Sequence, residues 1–357
     1  MGPRSLKPGL YGPLPTFFTE QQEIDYASYK SHLLNLATKG IVPVCAGSLG
    51  EAVHLTHDER VQLIHFIRAT LDEAGLNATP IVAGVGGSST RETIKLARDA
   101  EAAGADAGLV ILPAYYAASL AADAEQIIQY YVDICNGSPI PLFLYNFPSN
   151  AAGLDISSAQ IEAVMRQTTN LCGVKLTYVL YRLSVLPPFP SRLSFQIPTS
   201  DHPAYNRCGG SISKLIRLTA AISTDPTINA QRPYPFLLLD GLIADLTPWM
   251  QNGGHGTVSG IPNFAPAASA RLWELLNKSD WSEDEQNEAK RIQAVLSRAD
   301  VAAVPAGVRG MKYVLNKLHG HGPHPRRPLL PLGSGEGEEL MVLFGEMFEL
   351  EAEYAKA

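Results

Sequence analysis

An α/β fold, a TIM (β/α)8 barrel with additional C-terminal helices, is predicted by three features of this 357-residue sequence. Eight short apolar runs recur along the chain, an amphipathic stretch follows each of them, and no glycine-rich dinucleotide turn follows the first. The runs are 9–17, 41–47, 80–84, 108–113, 141–147, 171–177, 235–240 and 256–260. Such runs fit parallel strands covered on both faces, and eight of them suit a closed barrel better than an open sheet. The barrel is expected over 1–280 and a helical extension over 281–357.

The helices are marked by their start signals. Thr56 and Glu59 have the spacing of a capping box, in which each side chain satisfies the other's backbone N–H, and the helix they open carries Val61, Ile64, Ile67 and Leu71 on one face before Gly75. Ser157 with Gln160 and Ser282 with Glu285 repeat the signal. Beyond the barrel, 283–300, 303–318 and 336–356 read as helices, with a Gly/Pro/His-rich turn at 319–331.

Composition narrows the function. With 46% hydrophobic and 18% charged residues the chain can bury a large core. A net charge of −7, with no Lys/Arg run longer than a pair such as Arg326-Arg327, argues against a nucleic-acid partner. No apolar stretch reaches membrane-spanning length and the N-terminus lacks a signal-peptide core, so a cytoplasmic protein without membrane contact is expected. Cys45, Cys135, Cys172 and Cys208 are widely separated and read as free thiols.

Of eleven lysines, ten fall in helices, turns or tails and read as solvated. Lys175 alone lies inside an apolar run, Leu171-Cys172-Gly173-Val174-Lys175-Leu176-Thr177. Alternation places it with Gly173 and Thr177, pointing into the barrel near the C-terminal mouth, where active sites of this fold are built. Burial disfavours its charged form and leaves an amine able to attack a carbonyl; the plainer reading is a barrel lysine neutralised by a carboxylate. Gly47-Ser48-Leu49-Gly50-Glu51 ends the second run and could offer a hydroxyl and backbone N–H groups to a carboxylate, although such turns often only reverse the chain. Tyr145-Asn146-Phe147-Pro148 ends the fifth run, where a phenol could shuttle a proton or simply pack. Tyr115-Tyr116 follows the fourth. Gly84 to Thr90 looks like a phosphate cradle but lacks a P-loop lysine, and reads as a strand end and helix cap. His319, His321 and His324 read as a solvated loop rather than metal ligands.

These segments together, GSLGE at 47–51, YY at 115–116, YNFP at 145–148, GVKLT at 173–177 and GGHGTVSG at 253–260, resemble the dihydrodipicolinate synthase and N-acetylneuraminate lyase family over nearly the whole chain except 178–207. The resemblance implies a Schiff base on Lys175 with pyruvate or a related 2-oxo acid, formed without metal or other cofactor. It implies Tyr145 as acid and base, Ser48 and the Leu49 backbone on the substrate carboxylate, and the Val258 carbonyl lining the site. Tyr116 would be lent to a neighbouring subunit's proton relay, so a homo-oligomer, dimer or tetramer, is expected. Leu49 stands where the family usually has a polar residue.

Members of the family that condense pyruvate with aspartate semialdehyde carry an arginine shortly after the YN-x-P turn. Here Asn150 follows instead, and an uncharged amide cannot pair bidentately with an anionic aldehyde. GEAVHL at 50–55, the longer loop after YNFP, KLT and the C-terminal helices look most like the fungal branch that cleaves 2-keto-3-deoxy-L-galactonate (L-threo-3-deoxy-hexulosonate), with 4-hydroxy-2-oxoglutarate aldolases a near relative. Residues 178–207 are 30 residues rich in Pro, Ser and Tyr without helical or strand period. Removing them joins Thr177 to Cys208-Gly209-Gly210 and restores a short loop. The codons also permit a GTATGT donor and a pyrimidine-AG acceptor around roughly 90 nucleotides, at 3 per residue, so the segment reads as a retained intron, with a lid over the mouth as the alternative. A barrel disabled by this insertion and kept as a scaffold is the non-enzymatic alternative.

Overall fold

The eight apolar runs become eight parallel strands whose ends, shorter than the runs, release the residues that carry chemistry into loops. They are β1 (Gly9–Pro13), β2 (Val42–Cys45), β3 (Val82–Gly84), β4 (Ala107–Ile111), β5 (Leu142–Asn146), β6 (Leu171–Leu176), β7 (Leu237–Asp240) and β8 (Gly256–Val258). The computed structural model describes residues 4–177, 211–225, 228 and 232–356. The proposed insertion at 178–207 and Cys208 lie outside the described residues. Each strand pairs with the next in chain order and β8 returns to β1, giving a closed barrel.

Helices α1 (Tyr26–Ala37), α2 (His57–Glu73), α3 (Thr90–Ala102), α4 (Ala117–Ala122), α5 (Ala124–Gly137), α6 (Ser158–Gln167), α7 (Ser211–Thr224), α8 (Leu246–Gln251) and α9 (Pro266–Leu276) follow the strands. The capping boxes of α2 and α6 form as read, with Thr56 and Ser157 each accepting from the backbone three residues on. Ser89 caps α3, so the glycine-rich stretch before it is a strand end and helix start.

The extension consists of α10 (Glu283–His319), α11 (Ser334–Leu343) and α12 (Gly345–Tyr354). It departs from the sequence reading in two places. The break expected between 300 and 303 falls at Gly307, with φ 54° and ψ −146°, because alanines carry the helix past residue 300 until Pro305 removes an N–H and Gly307 adopts a conformation closed to other residues. The single helix expected over 336–356 is two.

Two apolar layers hold the barrel. Outside the strands, Leu33, Ile67, Ile134, Trp249 and Leu272 pack helices on the sheet; inside, Tyr11, Val44, Leu109, Phe143, Leu237 and Leu239 fill the bore. Strand β6 changes phase between them. Leu171 and Val174 belong to the outer layer and Cys172 to the inner, so strict alternation from Cys172 would turn Val174 inward and Lys175 outward. The pairing with β5 runs Leu142 to Leu171 and then Phe143 to Gly173, leaving one extra residue on β6. This bulge resets the alternation and brings Lys175 inward beside Tyr145, its register partner.

Gly173 makes the bulge possible, since a methyl group there would lie 2.3 Å from the Leu237 carbonyl oxygen and 2.7 Å from the Phe143 ring. Gly173→Ala is expected to destabilise the protein by about 1–3 kcal/mol, as overpacked cores do, seen as a lower urea midpoint at unchanged slope.

Candidate active site

At the C-terminal ends of the strands the bore opens into a cavity of about 360 Å³, with Ser48, Leu49, Tyr145, Asn150, Lys175 and Val258 in its wall. Lys175 is 6% exposed and its Nζ sits 4.1 Å from the centroid of the Tyr145 ring. Burial pulls the amine down from 10.5 to about 7, with Asp240 acting against the shift. Among the described residues no carboxylate lies within ion-pair distance of Lys175. Asp240 is itself buried, and its carboxyl is held well above the usual carboxylate range by desolvation and then by Asp245. The amine is therefore tuned by a dry surrounding rather than locked to an anion.

Tyr145 is 5% exposed and stacks on Phe147. Burial raises its phenol above the ordinary value, while the Ser48 and Thr177 hydroxyls act in the opposite direction. Thr177 Oγ1 is buried without a hydrogen-bond partner of normal geometry, although it stands close enough to influence the phenol. No role at the site is expected for Thr177 from the sequence; its position one step past β6 is the signal that places it there.

The loop bearing Ser48 and Leu49 is fixed from far away in the chain. Glu51 adopts a left-handed conformation, φ 54° and ψ 39°, and is 2% exposed. One of its oxygens pairs with Lys312, and the other accepts from the Arg326 N–H at 2.9 Å and contacts His54 Nδ1 at 2.9 Å. Lys312 also donates to the His324 carbonyl at 2.9 Å. Burial lowers its pKa to about 8, with Glu51 opposing.

Lys312 is 0% exposed and Lys214 only 4%, which corrects the reading of both as solvated. Lys214 pairs with Asp155, which accepts from Asn146 Nδ2 at 2.8 Å, tying α7 to the loop after β5. Helical periodicity hid both because each amine finds its carboxylate on a distant element.

Tyr116 is not in the cavity. Tyr115 and Tyr116 are 87% and 70% exposed, edge to face at 5.0 Å before α4. His321 is corrected from a solvated residue to a buried one, with its ring 4.8 Å from Phe17 and 5.6 Å from His32. Cys45, Cys135 and Cys172 are buried free thiols. The outer wall of the cavity comes from the extension: Asp300, Ala303, Gly307, Arg309 and Met311 of α10, with Leu340 of α11. Nothing local in the sequence marks these residues as part of a site.

A family model described as "Dihydrodipicolinate synthetase family" matches residues 7–183. A protein of Emericella nidulans named "Probable 4-hydroxy-2-oxoglutarate aldolase, mitochondrial" is 34% identical over 98% of this chain and 98% of its own length. The chain belongs to the dihydrodipicolinate synthetase family. An L-threo-3-deoxy-hexylosonate aldolase of Aspergillus niger is 32% identical over 97% of this chain and 96% of its own. Among solved structures, a dihydrodipicolinate synthase family protein from Coccidioides immitis superposes with a TM-score of 0.76 at 26% identity, over 99% of this chain and 100% of that one. YagE of Escherichia coli, crystallised with pyruvate, shares the fold at 23% identity with a TM-score of 0.74, over 97% of this chain and 100% of its own. No helix among the described residues is long and apolar enough to cross a membrane.

Lys312→Met strands a carboxylate in the interior and is expected to destabilise this family member by about 3–5 kcal/mol; adding Glu51→Gln should recover a substantial part. Chemical denaturation of the two single variants and the double variant measures the coupling.

Proposed function

We propose that this protein is a class I, pyruvate-dependent aldolase that cleaves a 2-keto-3-deoxy sugar acid to pyruvate and an aldehyde through a Schiff base on Lys175. The observation that carries the reading is a buried lysine lowered to about 7 over the ring of a buried tyrosine, in a cavity large enough for a small acid. The names of the Aspergillus and Emericella relatives support it.

The neutral Lys175 amine adds to the 2-oxo carbon and water departs, leaving an iminium. When C3–C4 breaks, the bonding pair moves into the iminium to give an enamine, the C4 hydroxyl loses its proton to the Tyr145 oxygen, and an aldehyde leaves. Protonation at C3 and hydrolysis then release pyruvate and the free amine. The phenol is protonated at neutral pH, and burial raises it further, so Tyr145 enters the cycle as a donor during imine formation and returns as an acceptor. Ser48 and the Leu49 N–H hold the carboxylate at the β2 side, and the Val258 carbonyl closes the β8 side. Tyr116, exposed here, would serve the neighbouring subunit of a homo-oligomer.

The second reading, cleavage of 4-hydroxy-2-oxoglutarate, is favoured by the name of the Emericella relative. An inert scaffold would have no reason to keep an amine poised near neutrality.

Borohydride added with pyruvate should fix a reduced adduct on Lys175, with chelator present, and mass spectrometry of the intact protein and its peptides locates it; an unlabelled Lys175 sinks the mechanism. The trapping rate at fixed pyruvate should rise by about tenfold per pH unit below 7 and level off above it, because only the neutral amine attacks and this one loses its proton near 7 rather than 10.5. Tyr145→Phe should lower cleavage by about 10²–10⁴-fold, measured as pyruvate release, since general acid–base catalysis contributes that much.

A further inference from the structure

Among the described residues of the cavity wall, the charged side chains are Lys175, Asp300 and Arg309. Asp300 lies on α10, outside the barrel, and is 3% exposed. One of its oxygens accepts the Ala244 N–H at 3.1 Å, and the Ile243 N–H also donates to the carboxyl. Both donors belong to the 3-10 turn Ile243–Asp245 that follows β7, the strand beside β6. Gly241 and Leu242 of the same connection line the cavity. The acid is therefore fixed over the end of β7, in the wall of the cavity that Lys175 also lines. Desolvation raises its carboxyl to about 7, against the two backbone donors and with Asp245 adding to the rise.

Serving two N–H groups does not require an acid, because an asparagine oxygen accepts them equally well and carries no charge to desolvate. An ionisable group in this place needs another reason.

We propose that Asp300 determines specificity at the aldehyde end of the cavity, selecting substrates whose departing fragment is an uncharged hydroxyaldehyde over those whose fragment carries a second carboxylate. The inference rests on the aldolase reading and names its substrate class. A hydroxyl can donate to the ionised acid or accept from the protonated one, so a polyol is satisfied in either state. A carboxylate approaching the same group meets a like charge or forces the acid to stay protonated. Asn150, which lines the same cavity, offers no positive charge to compensate. Arg309, at the rim, directs its Nε to the Leu330 carbonyl at 2.7 Å and a terminal nitrogen to the Pro331 carbonyl at 3.1 Å, which holds it to that loop.

The test compares kcat/KM for 2-keto-3-deoxy-L-galactonate and 4-hydroxy-2-oxoglutarate in wild type, Asp300→Asn and Arg309→Met, with near-UV circular dichroism as the check on folding. The wild type should favour the sugar acid, and Asp300→Asn should narrow that preference by about tenfold or more, as expected when a buried charge that rejects an anion is removed. Arg309→Met should leave the ratio of the two substrates in place. An unchanged ratio in Asp300→Asn overturns the proposal, as does a wild type that prefers the dicarboxylate and loses it in Arg309→Met. Borohydride trapping by wild type with pyruvate alone separates the two levels: a trapped imine with an unchanged ratio refutes Asp300 only, and no imine refutes the aldolase reading and the inference with it.

Discussion

Taking an ammonium group out of water costs several kcal/mol unless the charge is matched or given up, and three buried lysines of this chain meet that constraint in two ways. Lys312 and Lys214 are matched, by Glu51 and Asp155. Lys175 has no such partner among the described residues and gives up its proton near neutrality. The matched lysines brace loops, while the unmatched one retains a lone pair. The paired lysines and the unpaired one differ here in what surrounds them, not in how deeply they lie.

The surroundings of Lys175 are built by backbone as much as by side chains. The bore below it is filled by layers of apolar residues, which keep water out and force the polar groups of the inner face towards the mouth. A single extra residue in β6 then decides which side of the sheet the amine occupies. Bulges next to active sites re-aim a side chain at the price of a locally disrupted ladder, and Gly173 admits this one because neither Phe143 nor the Leu237 carbonyl leaves room for a methyl.

The extension beyond the barrel belongs to the site rather than decorating it. Lys312 of α10 reaches under the loop that carries Ser48, and the turn of the chain around Gly307 places Ala303, Gly307 and Met311 over the cavity. The same helix therefore anchors one wall and supplies another. A change in its packing against α11 and α12 would reach the loop that carries Ser48 through Glu51.

Much of this molecule was legible because its determinants are local. Strands followed from apolar runs, helix starts from Thr56, Ser157 and Ser282 satisfying backbone groups three residues away, and the candidate nucleophile from a lysine set inside a strand. These depend on hydrogen bonds and side-chain alternation within a few residues, which the order of amino acids specifies directly. Lys312 beside Glu51, Asp300 over the end of β7, the buried ring of His321 and the break at Gly307 rather than after residue 300 depend on groups that meet across tens to hundreds of residues or on how a helix fits over a cavity. Only the closed barrel and the helices packed on it bring those groups together, so their burial, and hence their protonation, was decided by the tertiary structure.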